Sequence, residues 1–93
     1  MSFPLGVKEI EADWYARGFS CTVWTDPPGQ VWPDFIHDVD ELVMVIDGEV
    51  EFEFDGKSFR PEPGEQLVIP AHASHTVRNV GSVTSHWLYG YRR

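Results

Sequence analysis

The residues best equipped for chemistry fall in two stretches of the chain. His37 stands four positions before Glu41, which opens the run ELVMVIDG, Glu41 to Gly48. A second stretch, PAHASHTVRN from Pro70 to Asn79, carries His72 and His75. Imidazole nitrogens and a carboxylate brought to one point make a metal site. Two neutral imidazoles and one carboxylate form the facial set used by non-haem iron, and the same set with an open position suits catalytic zinc. Whether the two stretches meet is therefore the first question the fold must answer. Other chemistries find little support. There is no glycine-rich phosphate loop and no serine in a nucleophile elbow. Cys21 is alone in the sequence and reads as a small core residue.

The elements that must position these residues come from a short chain. Its 93 residues are read as one domain, 1–93. With 42% hydrophobic and 14% aromatic residues there is enough apolar surface for one core, so disorder is not expected. The 15 acidic residues outnumber the 7 basic ones, for a net charge of −8. No basic stripe exists, which argues against nucleic acid and against an anionic membrane as partners. A lone cysteine forms no internal disulfide, and the first residues lack the pattern of a signal peptide, so a cytoplasmic setting is expected. No apolar run approaches the roughly 20 residues of a membrane helix.

Hydropathy alternates with the period of a strand along most of the chain. Met1–Gly6 reads as an arm, and Glu9–Arg17 as either a short helix or extended chain. FSCTVWT, from Phe19 to Thr25, reads as a strand with Ser20, Thr22 and Trp24 on one face. Asp26-Pro27-Pro28-Gly29 is a turn. Gln30–His37 is broken by Pro33 and is expected at an edge or with a bend. Leu42–Asp47 is apolar on both faces, Leu42, Met44 and Ile46 against Val43 and Val45, so both faces need a cover. Val50, Phe52 and Phe54 alternate with three glutamates, and Asp55-Gly56 marks a hairpin. Gln66–Ile69, His75–Val80 and Val83–Tyr91 complete the set. Short strands with turns every 8–12 residues indicate an all-β sandwich or barrel. The N-terminal segment or a second subunit can cover Leu42, Met44 and Ile46; a homodimer is the favoured expectation.

At the two opening stretches the chain resembles the cupins, which are small double-stranded β-helix (jelly-roll) barrels. The first cupin motif runs G-x5-H-x-H-x3–4-E-x6-G, and His37, Glu41 and Gly48 reproduce its second half. The second runs G-x5-P-x-G-x2-H-x3-N, and Gly64, Pro70, His75 and Asn79 fall at its offsets. Motif one thus spans about residues 35–48 and motif two about 64–79. The chain departs from the family at two places. Phe35 stands where the first histidine belongs, and His72 where the second glycine belongs.

The resemblance implies an all-β cupin barrel holding a divalent metal, with His37, Glu41 and His75 as ligands. Iron, zinc, manganese, nickel and copper all remain open as its identity. Phe35 cannot ligate, and at two residues from His37 it should project into the same pocket. Either the metal persists with three protein ligands, or the site has become a pocket with no metal. His72 is a candidate replacement ligand, a candidate for the pocket mouth or for supporting a ligand, or simply a residue tolerated in a glycine-like conformation. His86 reads as a hydrogen-bonded strand residue, Asp38 and Asp40 as solvated turn carboxylates, and Asn79 as a tie at a strand end. Trp24, Trp32, Trp87 and Tyr89 are assigned mostly to core or dimer surface, with room for one or two at the pocket mouth. Two functions stand side by side: a metal-dependent barrel acting on a small molecule, and a non-catalytic module that binds or senses one. Fold alone does not choose between them.

Overall fold

The structure, a computed structural model, describes residues 6–93. One helix, α1 (Val7–Ala16), precedes eight strands. These are β1 (Thr22–Asp26), β2 (Val31–Phe35), β3 (Glu41–Asp47), β4 (Val50–Phe54), β5 (Lys57–Phe59), β6 (Gln66–Ile69), β7 (His75–Asn79) and β8 (Ser85–Tyr91). They form two four-stranded sheets, in the orders β1-β8-β3-β6 and β2-β7-β4-β5, with every pairing antiparallel. This is the all-β jelly-roll arrangement expected from the strand pattern. The expected arm at the N-terminus lies, except for Gly6, outside the described residues. Extended chain gives way to α1 between residues 9 and 16, and no strand forms there.

The two faces of β3 explain the layering. Side chains alternate along a strand, so Glu41, Val43 and Val45 share one face and Leu42, Met44 and Ile46 the other. Val43 and Val45 join Val50, Phe52, Phe54, Ile69, Val77 and Trp87 in the core between the sheets. Leu42, Met44 and Ile46 pack outside the barrel against Trp14, Phe19 and Leu88. The cover for that outer face therefore comes from the chain's own helix. Trp14 is fully buried there, and this face no longer argues for a second subunit. The fit requires Gly90, where a Cβ would lie 3.0 Å from the Trp14 ring and collide with the Ser20 carbonyl.

Turn chemistry fixes the rest. Gly48, with φ +82°, makes the bend between β3 and β4, and a Cβ there would sit 2.8 Å from the Ser85 backbone. β2 lies at a sheet edge and is bulged between Trp32 and Phe35, with Asp34 at φ +56°. The bulge absorbs Pro33 and lets both Trp32 and Phe35 face inward despite their three-residue spacing. Asn79 ties the end of β7: its side-chain amide donates to the carbonyls of Asp26 and Val83, and its oxygen accepts from the Gly81 N–H. No helix is long and apolar enough to cross a membrane among the described residues.

Candidate metal centre

Strand alternation delivers the candidate ligands to one point. Glu41 opens β3 on the same face as Val43 and Val45, so it projects into the barrel, where it is 3% exposed. His75 opens β7 on the face of Val77 and Asn79 and is equally buried. His37 sits outside any strand, on the loop between β2 and β3. Rigid strand placement therefore serves two of the three residues, and the loop needs its own restraint. It has three. The His72 N–H donates to the His37 carbonyl at 2.8 Å, the Ala71 N–H donates to Asp40 Oδ1 at 2.9 Å, and the Arg92 N–H donates to the Asp40 carbonyl at 3.0 Å. Asp40, expected as a solvated turn residue, is a clamp.

His37, Glu41 and His75 each offer a ligand atom, and these atoms lie within 4.8 Å of one another. Glu41 Oε1 is 3.1 Å from His75 Nε2 and 3.5 Å from His37 Nε2. Donor atoms bound to one ion at about 2.1 Å stand about 3.0–3.4 Å apart at right-angle to tetrahedral bond angles. The two separations from Glu41 Oε1 match that spacing, within a set that spans up to 4.8 Å. The hydrogen-bond accounting agrees with them. Glu41 Oε1 is buried, and despite its closeness to both imidazoles it makes no well-directed hydrogen bond. His75 Nδ1 lies 3.2 Å from the Ala73 carbonyl. A proton on Nδ1 serves that carbonyl and leaves Nε2 as a lone pair facing the cluster, the usual arrangement behind a metal-ligating histidine. An orphaned carboxylate oxygen beside such lone pairs fits a divalent cation.

The electrostatics point the same way. Burial alone would lower the His75 pKa. The nearby Glu41 carboxylate and the Ala73 carbonyl outweigh it, and the net shift is upward. The cluster therefore attracts positive charge. Tyr91 stands beside it, its hydroxyl 3.4 Å from His37 Nε2. Burial first, then Glu41 and Tyr89, push the Tyr91 phenol up to about 12, so it keeps its proton at any ordinary pH.

Around the cluster is a cavity of about 230 Å³, somewhat below the usual range for ligand sites and sized for a small molecule. Phe35 lines it, opposite His75 in the β2–β7 register. Its ring stacks on His37 at 6.0 Å and lies 5.9 Å from His75. His72 is exposed and is not a lining residue; its φ of +69° is the glycine-like conformation, and it acts through its backbone N–H. The remaining wall is Trp24, Trp32, Val77, Trp87, Tyr89 and Tyr91. Trp24, Trp32, Trp87 and Tyr89 thus all belong to the cavity, beyond the core and surface roles expected for most of them. Tyr91 was not singled out at all. The signal was present in SHWLYGY: Trp87, Tyr89 and Tyr91 share one face of β8. His86, on the other face, bonds Asp47 Oδ1 through Nδ1 at 2.6 Å.

One further residue is absent from any sequence expectation. Asp26, 2% exposed, accepts from the indole N–H groups of Trp24 at 3.0 Å, Trp32 at 2.9 Å and Trp87 at 3.0 Å. It is the last residue of β1 and shares a face with Trp24, so alternation would have placed it inside. The Pro-Pro-Gly that follows made it look like a turn residue.

The Cupin domain family matches residues 22–91, three quarters of the chain. With the two motifs and the jelly roll, this makes the chain a cupin. Solved structures agree on the fold. A conserved protein of unknown function from Streptococcus pyogenes is 22% identical at TM-score 0.73, covering 82% of this chain and 65% of its own. A structure of DMSP lyases is 25% identical at TM-score 0.72, covering 81% of this chain and 38% of its own. A predicted oxalate decarboxylase from Thermotoga maritima is 18% identical at TM-score 0.72, covering 98% and 76%. The chain therefore spans less than two thirds of the length of the first two. No curated protein matches it in sequence.

Proposed function

We propose that the chain binds a divalent metal ion through His37, Glu41 and His75 and takes a small oxygen-bearing molecule into the cavity above it. The observation that carries this reading is the buried, unbonded Glu41 Oε1 facing two imidazole nitrogens at 3.1 and 3.5 Å. A divalent ion with three protein ligands supplies a Lewis acid with open positions. The chain's own residues do the rest. Ala73 fixes the His75 tautomer, the backbone of His72 holds the His37 loop, and Phe35 fills the fourth ligand's place and excludes water from that side. The relatives named for an activity, DMSP lyases and a predicted oxalate decarboxylase, differ in what they are named for. They support a small-molecule site and leave the substrate open. A cytoplasmic setting belongs to the same reading, with Cys21 as the single cysteine. The test is metal content after purification without a histidine tag and after exposure to iron, zinc, manganese, nickel and copper. One equivalent is expected in the native chain and far less in His37→Ala and His75→Ala. A native chain that never holds metal sinks the proposal.

A second reading is favoured by the proton inventory of the cavity. Apart from the three ligands, only the tyrosine hydroxyls and indole N–H groups carry labile protons among the described lining residues. Tyr91 holds its own up to about 12, and the indoles are bound to Asp26. Such a wall suits holding a molecule better than moving its protons. A non-catalytic binding or sensing module predicts a ligand-dependent rise in melting temperature that survives full chelation.

A further inference from the structure

The three tryptophans and Asp26 form a unit that metal binding does not require. All three indole N–H edges converge on one buried carboxylate. An indole whose N–H is already bound offers a ligand only its π-face and carbon edges. The rings stand at steep angles to one another. Trp24 meets Trp32 at 72° with centroids 5.8 Å apart, and meets Tyr89 at 69° and 6.0 Å; Trp87 meets Tyr89 at 50° and 5.7 Å. These are ordinary edge-to-face or tilted contacts between neighbours, and together the rings line the cavity of about 230 Å³. No lysine or arginine lines the cavity among the described residues, and Glu41 closes its floor.

The sign of the potential inside follows from these facts. An aromatic face carries partial negative charge and attracts cations, most strongly for tryptophan. A hydrogen bond from N–H to a carboxylate polarises the donor further, and here one carboxylate does this to three rings. Glu41 adds a further anionic group. The walls therefore disfavour an anion and favour a bulky, weakly hydrated cation over a neutral group of the same shape.

We infer that this box receives the quaternary ammonium end of a small organic cation, with Asp26 as the residue that positions and polarises its walls. A metal ion at His37, Glu41 and His75 would set the opposite preference a few ångströms away. The ligand class is then a small zwitterion, onium group in the box and carboxylate toward the metal; this second half alone rests on the proposed metal reading.

Two matched pairs of probes test the two halves separately. Choline and 3,3-dimethylbutan-1-ol have the same shape and differ by one positive charge. Titrated into the metal-stripped chain and followed by the indole N–H resonances, choline is expected to bind about tenfold tighter. Trp24→Leu, at a 38% exposed edge position, and Asp26→Asn should each cut that ratio severalfold while the near-UV dichroism of the remaining aromatics confirms a folded barrel. Equal or weaker binding of choline than of the alcohol, or no choline binding to the folded chain, overturns the box. An unchanged ratio in Asp26→Asn overturns the role given to Asp26. Glycine betaine and 3,3-dimethylbutanoate then probe the metal-loaded chain. Loading should raise the affinity of betaine; if it does not, the zwitterion is overturned and the choline result stands by itself.

Discussion

Replacing Glu41 by glutamine separates the cost of the cluster without metal from its use with metal. The change keeps volume and shape and turns one carboxylate oxygen into an amide NH2. At a pH above its raised folded pKa the His75 imidazole, with its proton on Nδ1 toward Ala73, presents a bare Nε2 to Glu41 Oε1 3.1 Å away. Two acceptors face each other in a buried site. Leaving such an oxygen unsatisfied costs about 1–3 kcal/mol, and a hydrogen bond gained returns about 0.5–1.5 kcal/mol. The glutamine amide can donate to Nε2. In that pH range metal-free Glu41→Gln is therefore expected to be more stable than the native chain by about 1 kcal/mol, or about 4–8 °C in Tm for a domain of this size. Acid should reverse the order. The folded His75 pKa lies above its ordinary 6.5, so the stability from the protonated His75–Glu41 pair is fully present below 6.5 and is lost as pH rises through the folded value. At pH 5 the native chain should regain the lead. Metal at a hundred times its Kd should add about 2.7 kcal/mol to the native chain, roughly 10–20 °C, and much less to the variant. Scanning calorimetry with chelator and with added metal measures all of this. A metal-free variant that loses 2 kcal/mol or more above the folded His75 pKa and still gains the full increment from metal would refute the reasoning.

Three further outcomes follow from other residues. Trp14→Ala removes a fully buried side chain from the outer face of β3 and should cost about 3–5 kcal/mol, a large share of a total near 5–15 kcal/mol. The bared Leu42, Met44 and Ile46 should also make the chain self-associate in light scattering; a stable monomer would show that α1 is not the cover. Phe35→His puts an imidazole opposite His75 and beside His37, and metal titration should show affinity raised about tenfold or more, equivalent to 1.4 kcal/mol; unchanged affinity would mean that position 35 does not point at the ion. Burial, with Glu11 adding to it, pushes the Cys21 thiol up to about 11 from 9.0, so alkylation at pH 8 should run about a hundredfold slower than for an exposed cysteine and speed up as pH rises.

The parts of the fold written locally were legible. β3 and β4 declare their faces by alternation, and the offsets among His37, Glu41 and His75 carry enough information to name one cluster. What was lost depended on pairing across the chain. Trp24 becomes a cavity wall because β1 lies against β8, with Trp24 opposite Trp87, a contact between residues 63 positions apart that no local pattern encodes. Asp26 was hidden by the Pro-Pro-Gly after it, which dominates any local reading. Asp40 looked solvated because its partners, Ala71 and Arg92, come from distant segments. The helical period of Val7–Ala16 is weak because only Trp14 is buried in it, so its form followed from the face it covers more than from its own propensity.

The restraints on the His37 loop also tie distant parts of the chain into one latch. Arg92 bonds the Asp40 carbonyl, its guanidinium lies 4.7 Å over the Phe19 ring, and the Arg93 N–H donates to the Gly18 carbonyl just beyond α1. The last two residues therefore fasten the helical lid on one side and the ligand loop on the other. Loosening either should be felt by both. The amides of His72 and Arg92, remote in sequence, should exchange with deuterium in concert, and both should slow when an ion stiffens the loop they hold. They would serve as a gauge of occupancy for the proposed metal site, readable without altering His37, Glu41 or His75.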